Sequence, residues 1–229
     1  MTDDPWNRAH RAAWFLEALR EYDHVFSPRR ANLDDLRGAT SGHVEYLPFA
    51  YDPALFFEPR GRADHGDDVI FAGGGDADRV PYIAALSKAG FRVGLYGGYW
   101  DRYPETRGLT RGMVDPAQLR EVIASAKIAL CLVRKANRDG HCMRTFEVPA
   151  VGACMLVEDT DEHRELLGPD MAAVAYFRSL DEMVVRAAHL IGNYALRARL
   201  AAASKALVAS GRHTYKDRLC EIAEVLGCG

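Results

Sequence analysis

The stretch DVIFAGGGDADRVPYIAALSKAG (residues 68–90) combines a short apolar run, a glycine loop and a segment with helical spacing. The run DVIFAGGG predicts a strand that leads into the loop, and the residues after it predict a helix that ends at Gly90. A strand, a tight loop and a helix in this order form the repeating unit of a parallel α/β sheet. This stretch therefore indicates the fold class.

The same alternation continues along the rest of the chain. Strands that alternate with helices imply a parallel sheet covered by helices on both faces. The predicted fold class is α/β, with a Rossmann-like domain over residues 59–229. After residue 90 the predicted elements are a strand in FRVGLYGG, a helix over 116–126, a strand in KIALCLV, a helix over 144–151, a strand over 154–157, a helix over 180–191 and a helical tail over 194–226.

Residues 1–58 predict a smaller α/β unit and a linker. Within residues 6–21, Trp14, Leu16 and Leu19 recur at helical spacing, which predicts an amphipathic helix. The segments HVFSP and HVEYLPFA predict two short strands, because a proline ends or breaks each of them. The next segment, YDPALFFEPRGRADHGDD, is rich in Pro, Gly and Asp, and it is interpreted as a linker.

The composition is typical of a soluble globular protein, with 48% hydrophobic and 27% charged residues. The formal net charge of −3 argues against a nucleic-acid partner, and no apolar run is long enough for a membrane span. The polar, acidic N-terminus does not suit a signal peptide, and the cysteines lack CxxC spacing. We therefore expect a cytoplasmic protein with free thiols and no bound metal.

Two glycine loops are candidate binding sites, because ligands of parallel sheets bind beyond the carboxyl ends of the strands. Gly73 and Gly74 let backbone N–H groups approach a phosphate, and Arg79 follows on the next helix. A plain tight turn explains these glycines equally well. The loop with Tyr96 and Gly97 suits a flat ring lying against the backbone, although an aromatic cluster is more often part of a core.

A third loop, RKANRDGHCMR (residues 134–144), is unusually rich in charge for a connection. It contains Asp139, and Glu147 lies eight residues later in the next helix. Carboxylates at one pocket edge accept hydrogen bonds from sugar hydroxyls. Arg144 and Glu147 lie one helical turn apart, and they are either aimed at a ligand or form a weak ion pair on the surface.

The order of these pieces resembles the C-terminal half of CgeB-type, spore-maturation-like glycosyltransferases. The pieces are DVIFAGG, KIALCL, the pattern R-x-F-E-x-x-A-x-G at residues 144–152, and HTYKDRL near the end of the chain. These enzymes have the GT-B fold, in which two Rossmann-like domains clamp a nucleoside-diphosphate sugar. The resemblance implies a glycosyltransferase, or its donor-binding half, and it favours a UDP-sugar donor with no metal and no other cofactor.

The resemblance also implies a role for each candidate residue. Glu147 matches the carboxylate that holds the ribose, and Asp139 stands where retaining members carry a Glu near the sugar. Arg79 and Arg144 match positions suited to the pyrophosphate, and Asp139 and Arg144 are the predicted catalytic residues. The predicted donor-binding residues are Gly73, Gly74, Arg79, Tyr96, Gly97, Gly112, Val114, Arg144 and Glu147, with 112–114 reading the edge of the base.

The acceptor half of such an enzyme is largely unaccounted for, because only residues 1–58 precede the donor-type domain. Three explanations stay open: a truncated form of a longer protein, a short chain that pairs with another subunit, or a relative that only binds nucleotide. We expect a homodimer or a second subunit that supplies the acceptor domain. The alternatives are a non-catalytic nucleotide-sugar-binding module, a flavodoxin-like signalling domain and, weakest, an NAD-dependent dehydrogenase, because GxGxxG is absent.

Overall fold

The computed structural model describes residues 4–7, 12–61 and 66–227. The chain divides into two compact units. The smaller unit consists of Met1–Phe49 and Val133–Cys142, and the larger unit consists of Ala50–Leu132 and Met143–Gly229. The predicted division into a small N-terminal part with a linker (1–58) and a Rossmann-like domain (59–229) stays a prediction.

The smaller unit is built on two parallel strands, β1 (His24–Ser27) and β2 (His43–Tyr46). Its helices are α1 (Ala13–Ala18) and α2 (Leu33–Ala39). Leu19, Leu36 and Val44 form a buried apolar cluster in this unit.

The N-terminal helix is shorter in the structure than the predicted span of 6–21. It ends at Ala18, a 3-10 turn follows over Leu19–Glu21, and residues 8–11 of the prediction lie outside the described part of the chain. Trp14 is 71% exposed, so its expected place on the apolar face is wrong. The reason is that Phe15 and Leu16 are the residues of α1 that pack on the apolar cluster.

The larger unit contains a six-stranded sheet in which every neighbouring pair is parallel. The strand order is β5-β4-β3-β6-β7-β8. The strands are β3 (Val69–Ala72), β4 (Val93–Tyr96), β5 (Thr110–Gly112), β6 (Ile128–Cys131), β7 (Met155–Glu158) and β8 (Ala175–Phe177). The helices are α3 (Val80–Lys88), α4 (Pro116–Ser125), α5 (Arg144–Val151), α6 (Asp161–Leu167), α7 (Leu180–Gly192), α8 (Tyr194–Ser210) and α9 (Tyr215–Val225). This helix-flanked parallel sheet confirms the predicted Rossmann-like fold class.

Three elements of the larger unit were not predicted, and they are among its shortest. Strands β5 and β8 have three residues each and α6 has seven, which is too short for a clear periodicity. Strand β7 begins at Met155 and not at Cys154. The helical tail is interrupted between Ser210 and Tyr215, where Gly211 leaves the helical conformation.

The core of the larger unit lies along the central strands. Every residue of β3, β4 and β6 is buried, which is the pattern of strands covered on both faces. Ile83 of α3, Met183 of α7 and Leu200 of α8 belong to one buried cluster with these strands. In the part of the chain that the structure describes, no helix is both long and apolar enough to cross a membrane.

Candidate functional site

The strand order of the larger unit has one switch point, between β3 and β6. Strands β4 and β5 lie on one side of β3, and β6, β7 and β8 lie on the other side. In open parallel sheets, ligands bind in the crevice beyond the carboxyl ends of the strands at such a point. Two segments lie at this point and are therefore of interest. One is the glycine loop that follows β3, and the other is the first turn of α5, the next helix of this unit after β6.

Backbone hydrogen bonds join the loops that follow β3, β4 and β5. Gly73 N donates to Tyr96 O, Gly75 N to Gly98 O, and Gly97 N to Gly112 O, each at 2.9 Å. These bonds join the loop after β3 to the loop after β4, and the loop after β4 to the end of β5. The three segments therefore form one connected surface.

Two glycines of this surface have specific backbone requirements. Gly97 has a φ of +150°, and a Cβ there would overlap the carbonyl of Gly73, so only glycine fits this crossing. The N–H of Gly74 has no hydrogen-bond partner among residues 4–7, 12–61 and 66–227. This donor is available to a ligand.

Trp100 supports the first glycine loop from inside the core. It is fully buried, its Nε1 donates to the Gly73 carbonyl at 2.8 Å, and its ring meets the Phe71 ring edge-on at 5.5 Å. Sequence reasoning favoured a core role for the aromatic residues here, but it did not find the hydrogen bond that fixes the loop.

Arg79 braces the same loop from the start of α3. It donates from Nη1 to the Gly74 carbonyl at 3.0 Å and from Nη2 to the Leu132 carbonyl at 3.5 Å. These two carbonyls lie after β3 and β6, so the side chain spans the switch point. The side chain is only 8% exposed, and its guanidinium also forms an ion pair with Asp76 at 3.4 Å.

Arg144 and Glu147 lie in the first turn of α5, as the sequence predicts. Arg144 Nε donates at 3.2 Å to the carbonyl of Ala72, the last residue of β3, and its Nη1 forms an ion pair with Glu147 Oε2. The Glu147 side chain is only 7% exposed, which excludes a fully solvated surface pair. The pair therefore stands at the carboxyl end of β3.

Thr145 and His163 hold this first turn of α5 in place, and sequence reasoning missed both. His163 Nδ1 donates to the Glu158 carbonyl at 2.8 Å, so its Nε2 accepts from the Thr145 hydroxyl at 3.0 Å. Both residues are fully buried. The sequence shows only that Thr145 follows the predicted ligand-binding residue Arg144. It does not indicate His163 as the partner of Thr145, because 18 residues separate the two.

The remaining predicted donor-binding residues have different positions. The Tyr96 hydroxyl donates at 3.1 Å to Oδ2 of Asp67, which precedes β3 in the chain. Burial of the phenol and, to a smaller extent, the negative charge of Asp67 raise the pKa of Tyr96 to about 12. Its side chain is thus engaged away from the glycine loops. Gly112 joins those loops through its carbonyl, and Val114 is half-buried after β5. Ligand binding by these three residues stays a prediction.

Asp139 belongs to the smaller unit and not to the larger one. Its carboxylate accepts a hydrogen bond from Arg29 Nε at 2.5 Å, and both side chains are buried. Arg138, next to it, pairs with Asp4 at 2.6 Å and with Asp35 at 2.7 Å. Much of the charge in the loop at 134–144 therefore serves ion pairs inside the smaller unit.

The described residues contain no group of three His, Cys, Asp or Glu side chains arranged to hold a metal ion.

Solved structures share this fold. Sucrose-phosphate synthase from Thermosynechococcus elongatus superposes with a TM-score of 0.69 at 14% identity, over 96% of this chain and 62% of the synthase. Anabaena HepE, solved with UDP-glucose, gives 0.68 at 12% identity, over 96% of this chain and 69% of HepE. The C-terminal domain of LpcC, a glycosyl transferase group 1 family protein from Francisella tularensis, gives 0.55 at 15% identity, over 70% of this chain and 97% of that domain.

The chain thus spans less than two thirds of the length of the synthase, and at these identities the likeness shows the fold alone. No curated protein matches the chain in sequence. A family model described as "Glycosyl transferase-like" matches residues 79–224, which is more than half of the chain. The chain therefore belongs to this glycosyl transferase-like family.

Proposed function

We propose that this protein binds a nucleoside-diphosphate sugar at the carboxyl ends of β3 and β6 and transfers the sugar to an acceptor. The observation that carries the proposal is the contact of Arg144 with the end of β3, where its Nε donates to the Ala72 carbonyl at 3.2 Å. This contact sets a cation and its partner Glu147 at the switch point, beside the glycine loops. Assignment to the CgeB-type branch rests on the sequence patterns alone.

The pyrophosphate of the donor would lie between Arg144 and the first glycine loop. A guanidinium forms strong paired hydrogen bonds with phosphate oxygens, and the N–H of Gly74 has no partner among the described residues. Arg79 is committed to two carbonyls and to an ion pair with Asp76, so its role is to fix the loop. As the sugar leaves, Arg144 would stabilise the charge that develops on the diphosphate.

Glu147 would accept hydrogen bonds from the ribose hydroxyls. An ionised carboxylate only accepts, and its two oxygens match a pair of neighbouring hydroxyls. In the structure this carboxylate pairs with Arg144. We propose that the pyrophosphate takes over Arg144 and that Glu147 then turns to the ribose. Whether Asp139 contacts the sugar stays a prediction.

UDP is the first nucleotide to test. UDP-sugars are frequent donors in the family that the sequence resembles, and HepE was solved in complex with UDP-glucose. The test is calorimetry of UDP, GDP, dTDP and ADP against the wild type, Arg144→Gln and the control Arg186→Gln. Arg186 is a good match, because it also lies in a helix, is 28% exposed against 23% for Arg144, and pairs with carboxylates.

We expect one nucleotide to bind the wild type and Arg186→Gln equally. Loss of a hydrogen-bonded charge costs about 1.5–3 kcal/mol, so Arg144→Gln should bind that nucleotide about 10 to 150 times more weakly. If no nucleotide binds, or if both variants bind as the wild type does, the proposed donor site is wrong.

A second candidate is a nucleotide-sugar-binding module without transferase activity. It is favoured by the position of Asp139, whose carboxylate is paired with Arg29 inside the smaller unit. Release of UDP from UDP-glucose by the wild type would separate the two functions. Binding of UDP-glucose without any release of UDP above background, with a panel of sugar acceptors present, supports the binding module.

A further inference from the structure

Tyr215, the first residue of α9, follows a segment that packs on α5, the helix that begins at Arg144. The chain before it is anchored on α5: the rings of His213 and Phe146 lie 5.1 Å apart between their centres. Phe146 is two residues after Arg144, and His213 is two residues before Tyr215. This packing brings the start of α9 to the first turn of α5.

Backbone hydrogen bonds fix the same segment on its other side. Tyr51 N donates to His213 O, and Tyr215 N donates to Tyr51 O, both at 3.1 Å. Thr214 caps α9, because its hydroxyl accepts from Asp217 N at 3.2 Å while Asp217 accepts from Thr214 N at 2.8 Å. The backbone at Tyr215 is therefore held by a bridge and by a capping box.

The side chain of Tyr215 is less engaged than its backbone. It is 44% exposed, and its hydroxyl has no hydrogen-bond partner among the residues that the structure describes. Burial raises the pKa of Tyr215, the positive charge of Arg144 lowers it, and the negative charge of Asp52 raises it. The net effect is a rise, so the phenol keeps its proton at neutral pH and is able to donate a hydrogen bond.

We propose that the Tyr215 hydroxyl donates a hydrogen bond to the phosphate that Arg144 binds, which makes α9 part of the donor site. This inference rests on the proposed donor site and adds a residue to it. The chemistry is complementary: a neutral donor and a cation approach the same anion, and neither repels the other. A phenol beside a guanidinium suits a diphosphate better than a neutral ligand, because hydrogen bonds to charged acceptors are the stronger ones.

The test compares Tyr215→Phe with Tyr194→Phe. Tyr194 is a matched control, because it is also an exposed tyrosine at the first position of a helix and lies beside an arginine, with Arg197 Cζ 5.7 Å from its ring centre. Both variants lose one hydroxyl and keep the ring, so neither is expected to unfold. Calorimetry of UDP and competition by uridine, which lacks phosphate, are measured for the wild type and both variants.

We expect Tyr215→Phe to bind UDP about tenfold more weakly, with uridine competition unchanged, and Tyr194→Phe to match the wild type. Unchanged UDP binding by Tyr215→Phe, with binding still lost in Arg144→Gln, overturns the role of Tyr215 and leaves the donor site intact. An equal loss for UDP and uridine also overturns it, since the hydroxyl would then not act on phosphate. If the wild type binds no nucleotide, the donor site itself fails.

Discussion

The ion pair between Arg29 and Asp139 predicts a large loss of stability when one partner is removed. The Arg29 side chain is 1% exposed and that of Asp139 is 8% exposed, and Arg29 Cζ also lies 5.8 Å from the ring centre of Phe49. Removal of one member of a buried ion pair costs about 3–5 kcal/mol, because a charge is left without compensation. Domains are typically stable by only about 5–15 kcal/mol, so Asp139→Asn should be strongly destabilised.

Urea unfolding followed by circular dichroism and tryptophan fluorescence measures this loss. The control is Asp34→Asn, because Asp34 pairs with Arg37 in the same unit while both side chains are exposed, at 96% and 55%. An exposed pair contributes about 0.2–1 kcal/mol, so the control should unfold almost as the wild type does. A double variant, Arg29→Met with Asp139→Asn, should lose less than the sum of the two single losses, since the stranded charge is gone.

Similar losses of the free energy of unfolding in Asp139→Asn and Asp34→Asn would contradict a stabilising role of the buried pair. The pair would then contribute little to the smaller unit, and the carboxylate of Asp139 would be as free to serve a ligand as the sequence pattern suggests. A variant that keeps its stability and binds UDP normally, but binds UDP-glucose more weakly, would point directly to contact with the sugar.

Two further predictions concern the larger unit. Gly97→Ala should be destabilised and lose nucleotide binding, because a Cβ there would overlap the Gly73 carbonyl. The control Gly98→Ala should fold and bind, because its Cβ would meet only Met113 Sδ at 3.8 Å. Equal melting temperatures for the two variants would contradict this prediction. Hydrogen bonds from Arg164 lower the pKa of Asp159 from its usual 3.8 to about 2, although burial acts in the opposite direction. The ionised Asp159 therefore stabilises the folded state above pH 3.8, and this stabilisation is lost as the pH falls toward 2. Asp159→Asn should therefore melt below the wild type at pH 7, and thermal melts should show the gap closing in acid; a gap independent of pH contradicts the assignment.

The fold could be predicted because its signal is local. Helix α5 has the predicted bounds of 144–151, since an apolar run between a charged start and a glycine marks both ends. Gly152 ends the helix with a φ of +77°, a conformation that glycine adopts without strain. Parallel pairing then follows from the alternation of strands and helices, because a crossover helix returns the chain in the same direction.

The site could be predicted only in part, because much of it depends on distant pairing. The charge of the loop at 134–144 suggested a ligand, but Arg29 and Asp139 are 110 residues apart, and Asp4 and Arg138 are 134 residues apart. No local pattern connects such residues. Tyr96 shows the same limit, since its position beside Gly97 suggested a binding surface while its hydroxyl reaches Asp67, which is 29 residues earlier.

The groups of the proposed donor site depend on buried neighbours that would touch no ligand. Trp100 fixes the Gly73 carbonyl, and the pair of Thr145 and His163 fixes the first turn that carries Arg144. A donor or cation held in this way loses little freedom when a ligand arrives, which favours affinity without any additional contact. The chemistry of the crevice is therefore set by a few polar groups at its surface, whereas its precision is set by hydrogen bonds inside the core. This division explains why the sequence suggests Arg144 and Glu147, whose neighbours form a pattern, and gives no signal for the residues that position them.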